Sequence, residues 1–130
     1  MSDEPLITLQ EFGCGLIYGA AAPKLSYGMT TWLELDTPRA HYAILKAYES
    51  IRYHAQFHLD HHPRLGVSYD WRNFLNMLEQ TTLIEPVPAS QGMYVVRATQ
   101  LMFAAAQCNF FGNRWSLWER LGRQFGESCS

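Results

Sequence analysis

The chain has 130 residues, 48% of them hydrophobic and 17% charged, with a formal net charge of −2. That length and apolar content specify one domain with a real core and exclude extended disorder away from the ends. Ten Lys plus Arg against twelve Asp plus Glu exclude the broad basic face with which generic polyanion binders neutralise phosphates.

The start of the chain, Met1-Ser2-Asp3-Glu4-Pro5, is acidic and shows no basic stretch leading into an apolar run. The expectation is a cytoplasmic protein without a signal peptide. Three cysteines, Cys14, Cys108 and Cys129, are odd in number and contain no C-x-x-C pair, which reads as reduced thiols. Leu9, Phe12, Leu16 and Ile17 form a short helical face punctuated by Gly13, Gly15 and Gly19. Gly13-x-Gly15 has no third glycine, so it is not a dinucleotide-binding loop. Residues 29–35 read as a strand, rich in β-branched and aromatic side chains.

Asp36-Thr37-Pro38 is a helix start. Thr37 can cap the free amides, and Pro38 fits the first turn, where no donor is needed. Ile44, Tyr48, Ile51 and Ala55 then recur at helical spacing, which predicts a helix over residues 38–59 that ends before Pro63. A second helix is expected over residues 69–80, with Trp71, Phe74, Leu75 and Leu78 on one face. The turn-rich stretch 86–92 separates Leu83-Ile84 from Met93-Tyr94-Val95-Val96, which makes a two-stranded ribbon. Residues 101–106 read as a further helix. The apolar stretch 93–111 is broken by Arg97, Gln100 and Gln107 and does not span a bilayer. Trp118, Leu121 and Phe125 mark a last amphipathic helix, and residues 1–5 and 126–130 are expected to fray.

All five histidines fall between His41 and His62. On a continuous helix His54, His58 and His61 would stand at i, i+4 and i+7, close enough to share a metal ion. They are the candidate ligands if a metal is bound at all, since no H-E-x-x-H pattern accompanies them. Asp60-His61-His62-Pro63 resembles the His-His-Pro motif of pterin-4a-carbinolamine dehydratases. That family needs a third active-site histidine further on, and this chain has none after His62.

A longer resemblance runs over residues 40–99. Leu65-Gly66-Val67-Ser68, a helix ending in Leu78-Glu79, Leu83-Ile84-Glu85, a loop and a returning strand with Tyr94 resemble the second half of a winged helix-turn-helix domain. The resemblance implies an α+β, mostly helical fold with a small hairpin and a C-terminal helix, and a scaffold that binds rather than catalyses. The expected recognition helix carries Asp70, Arg72 and Glu79, which sum to −1, and the expected wing 86–92 holds no Lys or Arg. Groove reading calls for outward Arg, Asn or Gln with positive charge at the backbone.

The expected function is therefore a small non-enzymatic regulator or adaptor, without cofactor, that contacts a protein partner. Sequence-specific DNA binding is the alternative, and a histidine-cluster metal site or pterin-type enzyme the further one. The candidate binding residues are Arg72, Asn73 and Asn76 on the second helix. Arg114, Trp115, Trp118 and Arg120 join them near the C-terminus, where Trp and Arg concentrate as they do in binding hot spots and where a homodimer contact is also expected.

Overall fold

The computed structural model describes residues 6–25, 31–60, 66–81, 84–96 and 114–128. The elements are α1 (Leu9–Leu25), β1 (Thr31–Glu34), α2 (Pro38–Ile51), α3 (Tyr69–Gln80), β2 (Ile84–Pro86), β3 (Met93–Val96) and α4 (Trp115–Ser128). Among the described residues the fold is α+β, four helices and a small antiparallel sheet. The expected helix over 101–106 lies outside the described residues. Among the described residues no helix is long and apolar enough to cross a membrane.

α1 is preceded by Thr8, whose Oγ1 accepts the Glu11 amide at 3.1 Å. It is longer than the face read from sequence, and it buries Phe12, Leu16, Ile17, Ala20 and Ala21. Its glycines are there for contact. A Cβ on Gly19 would lie 2.2 Å from the Trp118 carbonyl oxygen, and one on Gly122 would lie 2.5 Å from Gly19 Cα. Gly15, Gly19 and Ala20 on α1 face Trp118, Gly122 and Gly126 on α4, so the two backbones approach as closely as small residues permit. Gly126 sits against Ala20, and α4 continues to Ser128.

α2 opens as its sequence dictates, with Thr37 Oγ1 accepting the Ala40 amide at 3.1 Å and Pro38 in the first turn. It does not run to residue 59. After Ile51 the chain makes a 3₁₀ turn (Arg52–His54), and Ala55 is extended. The reason is long-range. Ile7 donates its amide to the His54 carbonyl at 2.8 Å and accepts the Gln56 amide at 2.7 Å, so backbone groups that would have continued the helix are taken elsewhere. The chain then folds back until Tyr48 donates its hydroxyl to the Phe57 carbonyl and Leu59 is buried.

Among the described residues the sheet has three strands rather than two, in the order β1-β3-β2. Thr31 pairs with Val96, Glu34 with Met93, and Ile84 with Val96. Period-two alternation turns Thr31, Leu33, Tyr94, Val96 and Ile84 toward the helices, and leaves Trp32 and Glu85 outside. α3 buries the expected face, Trp71, Phe74, Leu75 and Leu78, each contributing roughly 1.5–3 kcal/mol on burial. Side chains from α1, β1, α2, α3, the sheet and α4 join one core.

Candidate functional site

α3 starts from an unusually well-tied end. Ser68 is its N-cap, with extended backbone and Oγ accepting the Trp71 amide at 3.2 Å. Asp60, eight residues upstream, reaches back onto the same turn. Its carboxylate accepts the Ser68 hydroxyl at 2.8 Å, the Tyr69 amide at 3.0 Å and the Asp70 amide at 2.8 Å. The Asp60 amide in turn donates to Asp70 Oδ2 at 3.2 Å. Burial alone would raise the Asp60 pKa, but the hydrogen bonds from the Asp70 amide, Ser68 and the Tyr69 amide outweigh it and bring the carboxyl down to about 2. The positive end of the helix is therefore already occupied by an anion from this chain.

His41, buried on α2, takes the Ser68 amide on Nδ1 at 2.9 Å and meets Asp36 Oδ1 at 2.6 Å through Nε2. The same Asp36 oxygen accepts Arg72 Nε at 3.0 Å. Trp71 Nε1 donates to the Leu35 carbonyl at 2.6 Å. The turn before α2, α2 itself and the first turn of α3 are thus one hydrogen-bonded unit. Sequence reading missed Asp36, His41 and Asp60 as members of it. Asp36-Thr37-Pro38 was legible only as a helix start, and nothing local connects His41 or Asp60 to Ser68.

With its inner face in the core and its start tied down, α3 presents one stripe outward. Tyr69, Asn73, Asn76 and Gln80 stand at i, i+4, i+7 and i+11, with Met77 beside them, and all five are exposed. Arg72 flanks the stripe, its side chain 43% exposed, with Nε held by Asp36. The expected residues Arg72, Asn73 and Asn76 are therefore brought together on one surface. The stripe itself carries no charge.

The C-terminal candidates are not brought to one surface. Trp118 is fully buried and donates Nε1 to Glu11 Oε2 at 2.9 Å. Arg114 grips the same carboxylate with two nitrogens, each at 2.9 Å, its side chain 19% exposed. Trp115 is half-buried with its ring T-shaped against Tyr18, and Arg120 is exposed. The expectation of a combined Trp118 and Arg114 contact surface is corrected. A buried carboxylate on α1 needs those donors, and the core takes them.

No match was found: neither a protein-family model, nor a curated protein, nor a solved structure matches the chain.

The histidine spacing does not survive the end of α2. His54 closes the 3₁₀ turn, His58 follows in irregular chain, both are exposed, and His61 lies outside the described residues. Among the described residues no three of His, Cys, Asp and Glu gather as they would around a metal ion. Burial pushes the Cys14 thiol up to about 11, which keeps it protonated and unreactive near neutrality.

Proposed function

We propose that this protein is a small non-enzymatic binding module, a regulator or adaptor on a winged-helix-like scaffold, that meets a protein partner through the outward face of α3. The observation that carries the reading is the neutral exposed stripe Tyr69, Asn73, Asn76, Met77 and Gln80 on a helix whose N-terminus Asp60 already fills. The order of parts supports the scaffold: α3 is followed by β2, a loop, and β3 carrying Tyr94. The irregular chain after His54, where a regular second helix would continue, departs from it.

The charge around the helix favours protein over DNA. A duplex-reading helix places cations near phosphates and often uses its own N-terminus as an anion site. Here the first turn of α3 brings two carboxylates, Asp60 and Asp70, and the loop between β2 and β3 holds no Lys or Arg. Arg72 is shared with Asp36. The buried titratable groups serve the fold: both His41 nitrogens and both Glu11 oxygens are engaged.

The test is a pair of binding experiments on wild type and a Met77→Asp, Asn76→Arg double variant. Affinity capture with quantitative mass spectrometry should return a protein that the variant loses while its melting temperature is kept. Random and selected duplexes should not bind either form below micromolar at physiological salt. Tight duplex binding by wild type that the variant loses would overturn the reading in favour of DNA.

A further inference from the structure

His41 lies in the second turn of α2 with 1% of its surface exposed. A backbone amide can only donate, so the Ser68 N–H 2.9 Å from Nδ1 fixes that nitrogen as an acceptor without a proton. Nε2 then carries the proton and donates it to Asp36 Oδ1 at 2.6 Å. The neutral ring is a link between the turn that opens α2 and the residue that caps α3.

We propose that His41 is a proton-operated latch on the N-terminus of α3: neutral, it holds the Ser68 amide, and protonated at Nδ1 it releases it. A proton on Nδ1 sets two donors face to face, and no hydrogen bond is possible between them. The imidazolium keeps its bond to Asp36, which becomes charge-assisted, so the Ser68 side gives way.

Among the described residues, Asp36 in the turn before α2 bonds the ring, and Arg72 from α3 shares the same carboxylate oxygen. Glu79 of α3 and Tyr94 of β3 interact electrostatically around Asp36, and burial, Glu79 and Asp36 push the Tyr94 hydroxyl up to about 12, so it stays neutral. Asp60 stands one bond beyond, on the Ser68 hydroxyl, with Asp70 behind it. Because Asp60 remains ionised far into acid, it keeps the Tyr69 and Asp70 amides when His41 lets go of Ser68. The latch therefore has a signature: one amide is freed and the next two stay held. It does not depend on what the outer face of α3 binds.

Residue-resolved amide exchange and ring ¹⁵N spectra of the full chain test it, taken from about pH 8 to about pH 5, the range in which imidazoles change charge. Each amide is compared with its own intrinsic rate. Protection of Ser68 should fall by about tenfold or more, along the same midpoint as the His41 ring signals, while Tyr69 and Asp70 keep theirs. His41→Asn, whose side-chain oxygen accepts but does not titrate, should leave Ser68 flat with pH. If that variant does not fold, the paired titration in wild type decides alone. Ser68 protection that stays flat while the ring titrates, a ring that stays neutral throughout, or joint loss of Ser68, Tyr69 and Asp70 would each overturn the proposal.

Discussion

Between α1 and α4, Gly19 and Gly122 let two backbones touch, and one buried carboxylate, Glu11, gathers Arg114 and Trp118 across the same joint. Between α2 and α3 a chain of hydrogen bonds spans the gap, from Asp36 to His41, from His41 to the Ser68 amide, and from the Ser68 hydroxyl to Asp60. A joint made by close approach depends on volume, because no side chain can be added without moving a helix. A joint made of hydrogen bonds depends on charge and protonation, because its members are donors and acceptors with fixed roles. The first joint anchors α4 within the core, and the second holds α3 with its outer face to solvent. The difference separates what stabilises this protein from what it can offer to a partner.

The largest effect should come from the core that both joints share. Trp71→Ala removes a buried ring and orphans the Leu35 carbonyl, so a loss of about 4 kcal/mol is expected in denaturant unfolding. Gly122→Ala should cost about 3 kcal/mol, the upper part of the range for overpacking, because its Cβ meets backbone rather than a yielding side chain. An unchanged melting temperature for Gly122→Ala would show that the joint is looser than the structure has it.

At the polar joint the costs are smaller and depend on pH. Ser68→Ala should lose about 1 kcal/mol, the usual worth of an N-cap. Asp60 has a folded pKa of about 2, below its ordinary 3.8, so its contribution is present above pH 3.8 and is lost as the pH falls through about 2. Wild type should therefore exceed Asp60→Asn in stability by about 1 kcal/mol near neutrality, after allowance for solvent screening, and the two should converge in acid. A constant difference down to about pH 2 would mean that the carboxylate charge is not what holds α3. The smallest effect should be Met77→Asp on the outer face, within about 0.5 kcal/mol of wild type.

The helices that carry their own signals were legible in the sequence. Thr37-Pro38 and the Ile44, Tyr48, Ile51 stripe gave the start and inner face of α2, and Trp71, Phe74, Leu75 and Leu78 gave those of α3. What the sequence could not disclose was set by partners far along the chain. α2 stops early because Ile7 captures the backbone on either side of Ala55, and β1 adds a third strand by pairing with β3. The site was legible in part for the same reason. Asn73 and Asn76 face outward by helical period alone, whereas the roles of Asp60 and His41 exist only once Ser68 is brought to them. Trp118 misled because a stripe of aromatic residues looks alike whether it meets a partner or α1, and only the buried Glu11 carboxylate decides that.

The outward face of α3 as a partner surface is tested most directly by site-specific photo-crosslinking in cells. A photoreactive phenylalanine analogue would replace Asn76 on α3 or, separately, the exposed Arg123 on α4. A discrete protein adduct should form from position 76, be lost when Met77→Asp is added, and be absent from position 123. Adducts to nucleic acid at position 76, or protein adducts from position 123 alone, would contradict it.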